Sequence, residues 1–277
     1  MHKQYVASMM GQAGPPDPAE VWARKLSRSH HRARLTALNL SSEQFWDGFD
    51  RWPEYLRYIA YPGRVLDRIL GSVTPQSTVL DIGAGSGALT IPLAGAAKSV
   101  TAVEPSSGQI ARLLESANAS GISNLSVIRK RWEEISLEEI GTFGIVTAGY
   151  CLQMEDIRTA LEKMRRAACE RVFIVHFAGH DMLDDLARIT GRFDPGPDHR
   201  DLMAVLFEMG YRPEVEIIRR HFTIPLRLQM EVFAYSLGLS PEEREALFLQ
   251  LRASGRVVDY EGTYRVKRWY DDALITF

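Results

Sequence analysis

One short stretch of the chain has residue types at a spacing that could do chemistry. Asp81 stands two residues before the first of three alternating glycines, Gly83, Gly85 and Gly87, with Ala84 and Ser86 between them. Glycines permit a tight turn and let a ligand approach the backbone closely. The free N–H groups of a helix starting there would donate to an anionic group such as a carboxylate. Asp81 can accept hydrogen bonds from an ammonium group or its waters. An amino-acid-like ligand therefore fits the turn. The second signal is Glu104, followed by Pro105, at the end of the next apolar run. An acid there can take both hydroxyls of a ribose. Together the two describe an amino acid joined to a nucleoside. The pattern has a competitor: Gly83, Gly85 and Ala88 also satisfy G-x-G-x-x-A, with Glu104 near the place of the ribose acid, as in nicotinamide and flavin enzymes.

These residues need elements to position them. STVLDIG reads as a short strand running into the glycine turn, and ALTIPLAGAA as the helix after it. SVTAVEP, LSVIRK, FGIVTAGY and RVFIVHFAG read as four further strands, with helices expected over 107–119 and 155–167. Short apolar strands alternating with helices imply a parallel sheet covered on both faces. Farther on, VEIIRRHFTI reads as a strand, and helices are expected near 199–209 and over 228–237. Ser240, Pro241 and Glu243 start another helix, and 263–276 forms a final strand or hairpin. Before the sheet, 19–36 reads as one basic helix. Ser41 and Gln44 form a capping signal, Pro53 divides two short helices, and a helix covers about 63–70. Gly11, Gly14, Pro15, Pro16 and Pro18 make the first 18 residues a linker-like start.

The motifs resemble class I S-adenosyl-L-methionine-dependent methyltransferases. VLDIGAGSG matches that family's first motif at every position, and TAVEPS matches the strand after it. RWEEI is similar to the loop after the third strand, and FGIVTAGYCLQMEDI to the fourth strand and its exit. The resemblance implies an α/β, doubly wound, seven-stranded, mostly parallel sheet with the last strand antiparallel and helices on both faces. It implies S-adenosyl-L-methionine as methyl donor and S-adenosyl-L-homocysteine as product. It places Asp81, Gly83, Ala84, Gly85, Ser86, Gly87, Glu104, Pro105, Trp132, Glu133, Gly149 and Tyr150 around the donor. Trp132 would flank the adenine, the alternative being a sheet-edge aromatic. Glu133 would meet the adenine amino group, the alternative being a solvated acid. Gly149 and Tyr150 would lie near the methionine part. The chain then divides into a helical cap with a flexible start at 1–61 and a methyltransferase domain at 62–277, carrying helical insertions at about 179–210 and 226–256.

Methyl transfer to such a donor is a direct displacement, so correct orientation supplies much of the catalysis, up to about 7–11 kcal/mol. Tyr150 and His176 are the candidate catalytic residues. His176 and His180 end the fifth strand, on the side where ligands bind, and either removes a proton or bonds to backbone at the rim. Cys151 is expected to be a small buried residue. Trp22, Phe45, Trp46, Phe49, Trp52, Tyr55, Tyr58 and Tyr61 form a lid over the site or ordinary packing. The run RKLSRSHHRAR, with its cations at 24–34, binds RNA or another anion, or is a solvated helix face.

Composition bounds the rest. The 277 residues are 45% hydrophobic and 25% charged, with a formal net charge of -2, which excludes a collagenous, disordered or rod-like chain and weakens nucleic acid as the main partner. Two cysteines, with no CxxC or Cys/His cluster, give neither a disulfide framework nor a zinc site, and no metal is expected. No run approaches a membrane span and the start lacks a signal-peptide core, so a cytoplasmic protein with no membrane partner is expected. The leading reading is a methyltransferase acting on a small-molecule acceptor, as a monomer or homodimer. An RNA or protein methyltransferase using the 24–34 helix, and a donor-binding module without catalysis, are the alternatives.

Overall fold

The computed structural model describes residues 16–277. The expected Gly- and Pro-rich start lies mostly outside the described residues. Eight strands form one sheet: β1 (Thr78–Ile82), β2 (Ser99–Val103), β3 (Leu125–Ile128), β4 (Phe143–Gly149), β5 (Ala168–His180), β6 (Glu214–Pro225), β7 (Val257–Tyr260) and β8 (Thr263–Thr276). The path is β3-β2-β1-β4-β5-β8-β6, with β7 paired to β8 off that path. β1 to β5 run parallel, and β8 enters antiparallel between β5 and β6.

The strand count departs from seven by one. The extra strand, β7, is the first arm of a hairpin into β8. Glu261 and Gly262 both take positive φ, 50° and 79°, between the paired Tyr260 and Thr263. A two-residue turn of that kind matches the twist of its flanking strands. The basic N-terminal segment also differs: it forms two helices, Pro18–Arg28 and His30–Leu38, rather than one. Ser29 leaves the helical region with ψ 148°, and its side chain caps the second helix by accepting from the Arg32 N–H. The capping box at Ser41 and Gln44 and that at Ser240 and Glu243 both form, each starting a helix.

Both faces of the parallel sheet are covered. One core joins Leu80, Val146 and Ile174 to Trp22, Trp132, Leu161 and Leu206. The other face buries Val65, Ile69, Leu93 and Phe173. A further core lies beyond the sheet edge. It brings Phe45, Phe49 and Tyr55 of the N-terminal segment against Val232, Phe233 and Leu247 of the late helices. The N-terminal segment and the helices after β5 and β6 are thus one packed body. Among the described residues no helix is long and apolar enough to cross a membrane.

Candidate functional site: two chambers meeting at the glycine turn

β1 lies between β2 and β4, so the chain winds outward in both directions from it. Ligands of such sheets bind outside the carboxyl ends of the strands at this switch point. The glycine turn is there. Gly83 has φ +65°, and a Cβ on it would lie 2.2 Å from the Cβ of Cys151. Only glycine fits. Gly85 has φ +55°, and a Cβ there would meet nothing within 4 Å, so its backbone faces open space. Gly87, with φ +95°, packs against Leu113 and Ile91.

Asp81 is 2% exposed and neighbours Thr147 in the β1–β4 register. It accepts from the Thr147 hydroxyl at 2.7 Å and the Thr90 hydroxyl at 2.5 Å. Burial raises its carboxyl to about 6, against the lowering effect of the two hydroxyls. Glu104, at the end of β2, accepts from the N–H of Gly85 and of Ser106, each at 2.9 Å. Burial raises its pKa too, and the two backbone donors oppose that. Each carboxylate oxygen of Glu104 retains a lone pair beyond these bonds.

A chamber of about 940 Å³ opens beside this turn. Its walls include Gly83, Gly85, Glu104, Pro105, Trp132, Glu133, Gly149 and Tyr150. Trp132 is nearly buried; its Nε1–H donates to the Ala160 carbonyl at 3.2 Å and the Lys163 ammonium lies 4.4 Å from its ring centroid. Glu133 is exposed at the rim. The N-terminal helices close the chamber. Arg131 forms a bidentate pair with Glu43, at 2.6 and 2.8 Å. Asp47 accepts from the Ser106 hydroxyl at 2.6 Å and the Gly108 N–H at 2.7 Å, fastening the helix Ser42–Asp47 to the start of the helix after β2. The Oε1 atoms of Gln109 and Gln153 are buried in this wall without a hydrogen-bond partner. A nucleoside joined to an amino acid fits on three counts: volume, an open glycine backbone with an acid at the ribose position, and buried acceptors awaiting donors.

The second chamber, about 390 Å³, lies on the other side of the turn. Phe45, Trp46, Phe49, Trp52, Tyr55 and Tyr61 line it, so six of the eight aromatics singled out face a cavity. Trp46 and Trp52 pack edge to face at 5.1 Å, and Phe49 and Tyr235 lie 4.5 Å apart. Trp22 belongs instead to the sheet core, where its Nε1–H donates to the Met154 carbonyl at 2.9 Å. Tyr58 is a partly buried packing residue of the helical core. Ala84 and Ser86 reach this second chamber, as do Asp81 and Leu89.

Two polar devices form its deeper wall. Tyr150, at φ +55° after β4, donates its hydroxyl to Asp272, which pairs with Arg220. Arg220 also donates to the Ile59 carbonyl and lies over the Tyr61 ring at 5.3 Å. Burial, followed by the Asp272 charge, raises the Tyr150 phenol well above its usual range, so it keeps its proton. The His176 imidazole lies 5.5 Å from Trp22 and bonds to the Pro197 carbonyl through Nε2 at 3.2 Å, leaving Nδ1 unpartnered. Burial lowers it to about 4, so it is neutral near pH 7. His180 accepts from the Met182 N–H at 3.0 Å. Cys151 is half-buried, its thiol donating to the Ile82 carbonyl and held protonated by burial.

The residues missed in the sequence are Asp47, Glu43, Arg131, Arg220 and Asp272. Each acts through a partner 52 or more positions away, and no local pattern announces such a pair. Part of the basic stretch also has distant partners. Arg32 donates to the Gln153 carbonyl at 2.7 Å, Arg34 to the Tyr235 carbonyl at 2.7 Å, and Lys25 pairs with Asp201 at 2.7 Å.

Residues 79–170, about a third of the chain, match the family model described as "Methyltransferase domain". An uncharacterised protein of Haemophilus influenzae is 27% identical over 149 residues, 53% of this chain and 55% of that protein. The chain therefore spans about half the length of that curated relative. The YcgJ protein from Bacillus subtilis superposes with a TM-score of 0.50 at 16% identity, over 77% of this chain and 97% of that one. A candidate methyltransferase from Bacillus halodurans C-125 gives a TM-score of 0.50 at 15% identity, over 77% and 96%. These two likenesses concern the fold. The matched segment holds the glycine turn, Glu104 and the β4 exit, so the likeness to methyltransferase domains falls on the residues that form the site.

Proposed function

We propose that the protein transfers a methyl group from S-adenosyl-L-methionine to a small, neutral, largely aromatic acceptor. The observation that carries this reading is the pair of chambers sharing one glycine turn, the larger suited to the donor and the smaller lined by aromatic rings. Bound in the larger chamber, the donor supplies an electrophilic methyl group on a sulfonium. The open backbone at Gly85 lets the donor approach, Asp81, which lines the smaller chamber beside the shared turn, faces the amino-acid end at the junction, and Glu104 takes the ribose hydroxyls. Trp132 and Glu133 stand at the adenine end. Residues 1–61 act with 179–210 and 226–256 as the acceptor-binding part, and 62–277 otherwise as the donor-binding part.

The acceptor's character follows from charge. In the smaller chamber Arg220 is neutralised by Asp272, and Asp81, already bonded to two threonine hydroxyls, is taken up by the ammonium group of the donor. No free carboxylate remains among the described lining residues to hold a cationic acceptor. An RNA acceptor finds little support, since Arg32 and Arg34 are spent on backbone carbonyls and Lys25 pairs with Asp201. The test is calorimetry with S-adenosyl-L-homocysteine, then a radiolabelled methyl-transfer screen of aromatic small molecules, tRNA and protein. Micromolar product binding with transfer to a small aromatic supports the reading. No binding of donor or product sinks it, and transfer to tRNA or protein alone sinks the acceptor class.

A further inference from the structure

Eight residues line both chambers: His31, Trp46, Trp52, Gly83, Gly85, Gly149, Tyr150 and Gln153. They mark where donor and acceptor meet. Only His31 and Tyr150 among them carry an ionisable side chain, and Tyr150 already donates its proton to Asp272. His31 sits on the helix His30–Leu38, in the run first read as a possible anion binder. Its ring is held by aromatic contacts, edge-on to Phe45 at 5.1 Å and tilted to Trp46 at 6.3 Å, rather than by a hydrogen bond. The adjacent His30, by contrast, is tied to the Asp194 carbonyl at 2.9 Å.

We propose that His31 is a catalytic residue that takes the proton from a hydroxyl of the acceptor as that oxygen is methylated. The inference rests on the methyl-transfer reading above and names the acceptor atom within it. The hydroxyl oxygen's lone pair forms the new O–C bond while the C–S bond breaks, and that electron pair stays on sulfur. The O–H proton passes to a ring nitrogen of His31 and then to solvent. Burial, with the charges of His30 and Arg32 on its own helix, lowers the His31 imidazole to about 4, so it is neutral and ready to accept. A weak base suffices here, because an oxygen becomes a very strong acid as it gains a third bond. A methylated amine keeps its proton and needs no such partner. Asp81, Glu104, Tyr150 and the Glu43–Arg131 pair are among the other ionisable groups that line these chambers. The unpartnered Gln153 Oε1 lies at the same junction.

The test uses the full chain with 2-naphthol as the hydroxyl probe. Calorimetric affinity for S-adenosyl-L-homocysteine separates the two readings: its absence in the wild type defeats the methyl-transfer reading itself. With that binding intact, His31→Ala is expected to lower kcat by at least about 100-fold, with KM changed much less, and imidazole to restore part of the rate. His31→Gln, which can accept a hydrogen bond but not hold the proton, is expected to be as slow as His31→Ala. The His31 ring resonance should also shift when 2-naphthol is added to product-saturated wild-type protein. The proposal is overturned if His31→Gln keeps most of the rate, if imidazole rescues nothing, if the resonance does not move, or if product-binding wild type leaves 2-naphthol unmethylated.

Discussion

The two chambers are built in opposite ways. The donor chamber takes its chemistry from short local segments: Gly83 and Gly85 on the turn after β1, Glu104 and Pro105 at the end of β2, Trp132 and Glu133 after β3, with the N-terminal helices as its outer wall. Its specificity lies in backbone conformation and in acids at strand ends. The acceptor chamber draws on segments from Leu26 to Tyr270, and many of its walls are side chains of the N-terminal and late helices, which pack on one another in a core of their own. A parallel sheet holds the first rigidly whatever occupies its loops. The second exists only when distant helices have docked, which makes it the part of the molecule free to differ in what it accepts.

The comparison breaks most sharply at Arg220. Removing its side chain leaves Asp272 as a fully buried, unpaired charge under the acceptor chamber, a loss of about 3–5 kcal/mol in folding stability. Urea unfolding of Arg220→Ala measures it, and an unchanged midpoint would show that the pair does not hold this wall. Glu104→Ala tests the opposite chamber. It removes the acceptor for the Gly85 and Ser106 N–H groups and for the ribose, each charged bond being worth about 1.5–3 kcal/mol, so product affinity should fall at least about tenfold. Calorimetry reads that loss, and an affinity within twofold of wild type would detach Glu104 from the donor.

pH sharpens the same contrast. Asp81 must be ionised to hold an ammonium group, and burial has raised its carboxyl to about 6. Product affinity should therefore be flat above pH 6 and fall by up to tenfold per unit below it. A bound cation favours the carboxylate, so the fall begins at the pKa of the free protein and ends at the lower pKa of the complex. A flat profile from pH 5 to 8 would remove Asp81 from this role. The smallest effect belongs to the basic stripe. Lys25→Ala breaks a pair whose lysine is 45% exposed, and should cost less than about 1 kcal/mol without producing or abolishing salt-sensitive tRNA binding. Loss of tRNA affinity in that variant would reopen the nucleic-acid reading.

The donor half of this molecule is legible in the chain. Asp81, the three glycines and Glu104 occur at fixed local spacings because a strand, a tight turn and a helix start are themselves local structures. The parallel strands show as apolar runs because both their faces are buried. Tertiary structure alone decided the rest. Ser29 looks like one polar residue within a helix until its backbone bends and it caps the next one. Arg32 and Arg34 read as a nucleic-acid face, and become ties to Gln153 and Tyr235 only once the helices dock. His31 looks like one more member of a charged run, yet docking turns it toward the junction of the chambers. The physical reason is range. Backbone conformation is set by neighbours in sequence, whereas burial, ion pairing and the lining of a cavity are set by neighbours in space, and only the fold supplies those.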